Sequence, residues 1–220
     1  MYQSLSEHGV AKPAEPEFSY SNLGFALLGQ ALANRANTQY PALLKRSVLD
    51  PLGLRETAST LDADQQRRVI QGHDAERGPV TGWDLAGAFV GAGVGIRSTA
   101  RDMLRYLEAN LRPRTPDTFA TPGDRALAAA LARSQTLQAD ADGAWQIGYA
   151  WLYDPATQTY RHNGVTSGYS SFAFFSPKRN YAGIVLVNLT RTARGNLAVM
   201  VGDHIAARFA GEKAISLKNW

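Results

Sequence analysis

The chain has 220 residues, 45% of them apolar and 19% charged, with 23 basic and 19 acidic side chains and a formal net charge of +4. That composition is globular rather than disordered and suits one large domain or two small ones. The charges are interspersed, with no basic run longer than Lys45-Arg46 or Arg67-Arg68, so the clustered face that nucleic acid requires is missing; no cysteine is present, which excludes disulfides, thiolate metal sites and cysteine nucleophiles.

In chain order, Met1-Tyr-Gln-Ser-Leu-Ser-Glu-His8 lacks the basic start and apolar core of an export leader. From Asn22, residues Leu23, Ala26, Leu27, Gln30 and Ala31 recur at helical spacing, and Ser21 or Asn22 can cap that helix. A second helix is predicted over Pro41–Leu49, with Asp50-Pro-Leu-Gly53 stopping it. Gly91-Ala-Gly-Val-Gly95 mimics a nucleotide loop but lacks the strand, helix and acidic partner of a dinucleotide site, so it reads as a loop bordering a cleft. Thr99-Ala-Arg-Asp102 is a capping box that opens a helix whose Ala100, Met103, Leu104, Leu107 and Leu111 share one face. An alanine-rich helix follows over about 123–138.

After residue 143 the period changes to two. Trp145, Ile147, Tyr149 and Trp151 alternate with smaller or polar residues and predict a strand. Asp154-Pro-Ala-Thr157 is a turn, and strands are expected at 158–162, 169–175 and 181–188, with hairpin-length connections that imply an antiparallel sheet. A last helix over 195–209 places Leu197, Met200, Val201, His204, Ile205 and Phe209 on one face. The fold class is therefore α+β: a helical region over 1–142, then an antiparallel sheet and a C-terminal helix over 143–220, read as one domain. No stretch approaches the ~18 apolar residues of a membrane helix, so no membrane span is expected. His8, His73 and His204 do not form a ligand spacing, so no metal site is expected.

Two motifs carry the chemistry. Phe18-Ser-Tyr-Ser-Asn-Leu-Gly24 and Tyr160-Arg-His-Asn-Gly-Val-Thr-Ser-Gly-Tyr-Ser-Ser-Phe172, together with Val48–Leu54 and Gly91–Asp102, resemble the serine β-lactamase-related hydrolases: class C β-lactamases, penicillin-binding-protein-like D-alanyl-D-alanine carboxypeptidases, D-aminopeptidases and esterases of that fold. The resemblance runs through nearly the whole chain. It implies Tyr20 as base or proton relay, Asn22 as a substrate-orienting amide, His162 as a polar group facing Tyr20, and Asn163, Gly164 and Val165 as a strand against which substrate lies. The Val165 amide would be one oxyanion donor. Histidine where lysine is closest to true β-lactamases favours the peptidases and esterases. A small-molecule ester, amide or peptide is the implied substrate, with no cofactor.

Each of these residues also has a plainer reading. Tyr20 can be a tyrosine packed at a helix start, Asn22 a helix cap, and His162 a structural histidine on a strand.

The departure from the family lies in the nucleophile. No serine in the 220 residues is followed three positions later by lysine, and Gly168-Tyr-Ser-Ser-Phe172 fails as a Gly-x-Ser-x-Gly elbow. The expectation is an incomplete β-lactamase/transpeptidase-like fold, inactive alone, with an N-terminal segment or a second copy covering the exposed interface. Leaving one helix's partner surface bare costs on the order of 10 kcal/mol at ~25 cal/mol per Å², against a net domain stability of about 5–15 kcal/mol. A non-catalytic binding protein and an oligomerising remnant stay open as alternatives. The compartment also stays open: periplasmic or secreted if a leader precedes this sequence, cytoplasmic otherwise.

Overall fold

The computed structural model describes residues 6–7, 9, 18–83, 95–111, 122–209 and 211–213. Helix α1 (Asn22–Arg35) is capped by Ser21, whose Oγ accepts from Gly24 N at 2.9 Å, so the cap is Ser21 and not Asn22. Its buried face is Ala26, Gly29 and Ala33, small residues that allow close approach, while Leu23, Phe25, Leu28 and Leu32 are all more than 40% exposed.

Helix α2 (Tyr40–Leu44) does not end at Leu49 as predicted. It passes through a π-helical turn over Lys45–Leu49 into α3 (Asp50–Leu52), and the left-handed Gly53 (φ 64°) stops it. Pro51 has no N–H to give and its ring crowds the preceding turn; the wider π turn before it absorbs that conflict. A short helix α4 (Ala63–Arg67) opens on an Asp62–Gln65 capping box. The hairpin of β1 (Gly72–Asp74) and β2 (Gly78–Val80) lies within the region read from sequence as helical.

Helix α5 (Ala100–Leu111) starts at Thr99, whose Oγ1 accepts from Asp102 N at 3.3 Å. The Asp102 carboxylate, 1% exposed, accepts from Glu56 N and Thr57 Oγ1, both at 2.8 Å, and so pins the loop after α3. The buried stripe of α5 runs through Asp102, Leu107 and Asn110; Leu104, expected inside, is 47% exposed. Helix α6 (Pro122–Ser134) is four residues shorter at its C-terminus than expected.

The main sheet has six antiparallel strands in sequence order: β3 (Ala139–Asp140), β4 (Gln146–Ile147), β5 (Leu152–Asp154), β6 (Thr159–Thr166), β7 (Tyr169–Ser176) and β8 (Tyr181–Val187). The single strand predicted across Trp145–Leu152 is instead the hairpin β4–β5. Gly148 N donates to Trp151 O at 2.8 Å, and a Cβ on Gly148 would stand 2.5 Å from Ser134 O, so the chain must turn there. The predicted turn at Asp154 holds, with its carboxylate accepting from Ala156 N and Thr157 Oγ1.

Both faces of the sheet are covered. Leu107 of α5 packs with Trp151, Ala173 and Phe175 on one face; Ala198 of the last helix, α7 (Leu197–Phe209), packs with Phe172, Phe174 and Tyr181 on the other. This double cover explains why β7 is apolar at consecutive positions rather than alternating. The α7 face against the sheet is centred on Ala198 and Gly202, not on the larger Leu197, Met200 and His204: a Cβ on Gly202 would fall 2.0 Å from Phe172 Cδ1.

Candidate active site

Tyr20 stands just before the Ser21 cap of α1, and His162 lies on β6. Their rings meet with centroids 6.1 Å apart and planes tilted by 36°. The Tyr20 hydroxyl donates to Asn22 Oδ1 at 3.2 Å, so Tyr20 and Asn22 form one polar unit at the helix start. Burial, partly offset by a backbone hydrogen bond at Asn163, pulls the His162 imidazole below the ordinary histidine range; it is neutral at pH 7. A neutral imidazole offers one donor and one acceptor.

β6 changes character along its length. Thr159, Tyr160 and Arg161 pair with β5 on one side and, at Tyr160 and Arg161, with β7 on the other; from His162 to Thr166 only β7 remains among the described residues. Among the described residues this free edge begins at His162 and contains Asn163, Gly164 and Val165. Strand alternation puts His162 and Gly164 on the face toward Tyr20, in register with Ala173 and Ser171. Asn163 and Val165, in register with Phe172 and Ser170, belong to the α7 face, and Asn163 is exposed there. So the fold brings Tyr20, Asn22 and His162 together, with Gly164 on the same face of β6 as His162 and the Asn163 and Val165 side chains on the other. A Cβ on Gly164 would lie 3.0 Å from Ser171 Oγ, so the sheet beneath, as well as the cleft above, bears on that position.

The turn at the far end of β6 is clasped by residues flanking the β1–β2 hairpin and by Thr190, just after β8. Ser167 Oγ donates to Thr81 O at 3.0 Å, Tyr169 OH to Ile70 O at 2.6 Å, and Gly168 N to Thr190 Oγ1 at 2.6 Å. Gly168 (φ 84°) abuts Gly72, and a side chain on it would sit 2.9 Å from Gly72 Cα. Sequence reasoning missed this clasp; the signal was present in Asp74-Ala-Glu-Arg-Gly78, where Asp74 accepts from Glu76 N and Arg77 N to close the turn. Most of the Gly91–Gly95 loop lies outside the described residues. Among the described residues no group of three or more His, Asp or Glu side chains is placed to hold a metal ion, and no helix is long and apolar enough to cross a membrane.

The beta-lactamase family model matches residues 1–203. Over 208 residues the sequence is 28% identical to the D-alanyl-D-alanine-carboxypeptidase/endopeptidase AmpH of Escherichia coli K12, covering 90% of this chain and 52% of that protein. It is 27% identical over 197 residues to penicillin-binding protein 4 of Amycolatopsis lactamdurans, covering 84% and 51%. The chain thus spans about half the length of these curated relatives. The solved beta-lactamase from Sulfitobacter sp. EE-36 superimposes with a TM-score of 0.75 at 22% identity, over 95% of this chain and 62% of that one, a likeness of fold.

Proposed function

The chain belongs to the beta-lactamase family, and from that premise we propose that the Tyr20–His162 cleft is the acyl-transfer site of a serine hydrolase acting on an ester or amide, of the esterase or D-amino-acid peptidase type. The observation that carries this is the 6.1 Å approach of Tyr20 to His162 at the root of a strand edge that has no ladder partner among the described residues. Two polar side chains distant in sequence meet where a peptide-like substrate can lie along backbone.

In this reading a serine oxygen attacks the substrate carbonyl, and the Tyr20 hydroxyl relays the proton, its oxygen accepting the serine proton as its own proton moves toward the leaving group, while neutral His162 hydrogen-bonds the tyrosine oxygen. The proton then passes to the departing alcohol or amine, leaving an acyl-enzyme that water hydrolyses. Asn22 orients the substrate amide or carbonyl, and the Val165 N–H supports the oxyanion. Since no serine here begins a Ser-x-x-Lys, the nucleophile, and the second oxyanion donor with it, come from polypeptide beyond these residues.

Intact mass of the chain after incubation with an activated aryl ester or a β-lactam tests the placement of the nucleophile. No covalent adduct is expected; a single stable one would put the nucleophile within the chain. Titration with N-acetyl-D-alaninamide, followed at the His162 ring by NMR, tests the cleft itself: shifts are expected in wild type and lost in Tyr20→Ala, and a wild-type ring that does not respond sinks the site.

A second reading, an oligomerising or ligand-binding remnant of the fold, is favoured by α1, whose Leu23, Phe25, Leu28 and Leu32 are exposed together. A melting temperature that rises with protein concentration would support it.

A further inference from the structure

A charge is nearly buried one residue before His162. The Arg161 side chain is 15% exposed. Its guanidinium lies 4.8 Å from the Trp145 ring centroid and 4.6 Å from that of Phe172, and Nη2 donates to Asp203 Oδ1 at 2.6 Å. One side chain thereby joins the β4 strand's approach, β7 and α7. A flat guanidinium can stack on rings and reach a carboxylate at once, which an ammonium cannot do. Asp203 is half exposed, so the ion pair alone would be weak; the stack between two rings is what makes the contact specific.

The location gives this clamp its consequence. Arg161 is the last β6 residue with a partner on each side, Leu152 on β5 and Phe174 on β7. Beyond it no β5 ladder holds the strand, so the height and twist of the free edge depend on its root. Alternation sends Arg161 to the α7 face and His162 to the Tyr20 face of the same peptide run. We propose that Arg161 is a positioning residue: its clamp on Trp145, Phe172 and Asp203 sets where His162 and the Val165 amide stand over the cleft. The functional meaning of this clamp rests on the acyl-transfer reading of that cleft.

The test uses the free, isotope-labelled chain and two readouts: the His162 ring titration, and amide exchange at Asn163–Val165 with Phe174 and Val185 as internal references. Arg161→Lys keeps the charge and loses the plane; Arg161→Met keeps the stem and loses the charge. In both, the His162 midpoint is expected to rise toward the ordinary histidine value as the ring loosens. Exchange at the edge amides should accelerate roughly tenfold while the reference amides hold. A lowered melting temperature with the His162 midpoint and edge amides unmoved would reduce Arg161 to a stabilising contact and overturn the proposal. A wild-type response in Arg161→Lys beside a shifted Arg161→Met would overturn the stacked clamp in favour of charge alone. If Arg161→Met does not fold, Arg161→Lys decides. Neither readout involves an acyl ligand, so failure of the clamp and failure of the acyl-transfer reading are seen in separate experiments.

Discussion

Strand β7 and helix α1 are both apolar segments, yet they meet solvent in opposite ways. β7 buries Phe172, Phe174 and Phe175 to 2% exposure or less because α5 covers one face of the sheet and α7 the other. Helix α1 buries only Ala26, Gly29 and Ala33 and leaves four large side chains exposed. A helix apolar all round is normally enclosed on every side. The contrast locates the stability of the chain in the sheet and its two helices, and it places the candidate site across the boundary: His162 belongs to the well-packed body, Tyr20 to the sparsely packed one.

The largest expected effect lies in the sheet. Phe175 is fully buried, 4.9 Å from Trp151 edge to face and 5.1 Å from Tyr160 in a stack. Phe175→Ala should cost about 3–5 kcal/mol in urea unfolding, and a loss under about 1 kcal/mol would show that the sheet is not the stable body. Next comes the link between the α3 loop and α5: Asp102→Ala strips acceptors from Glu56 N and Thr57 Oγ1 and should cost about 1–3 kcal/mol.

A smaller effect is the pH dependence contributed by His162. Its folded pKa is lowered, so the unfolded chain takes up the proton first. Stability from this group is present at neutral pH and lost as pH falls below about 6.5, the ordinary histidine value. Replacing His162 by Gln should flatten that limb of the melting temperature against pH profile; a wild-type profile in the variant would remove the burial argument. The smallest effect is expected on α1, where Leu28→Ala should change stability by no more than about 0.5 kcal/mol if the side chain is solvated as seen. A cost of several times that would mean something covers α1 in solution and would erase the contrast.

Much of this was legible in the residues. The antiparallel sheet, the Asp154 turn and the Thr99 start of α5 follow from period and turn chemistry, which are local signals; that Tyr20 and His162 face each other was implied by the family resemblance of their two motifs. Part of what was misread has a shared cause: small residues carry little periodic signal. Gly29, Ala33, Ala198 and Gly202 form close contacts, while larger neighbours such as Leu23, Leu197 and Met200 drew the expected faces away from them. Gly148 hid a hairpin inside an alternating run for the same reason.

By itself the sequence determined the family and most of the element types, and it singled out Tyr20, Asn22, His162 and Gly164 as candidates, because each of these depends on short-range chemistry or a contiguous motif. Only the tertiary structure decided that Asn163 stands on the other face of β6 from His162, that Asp102 serves a loop 45 residues upstream at Thr57, and that Arg161 clamps the root of the free edge. Those outcomes depend on which elements come to lie side by side, and that is set by long-range packing of whole faces rather than by any residue's immediate neighbours.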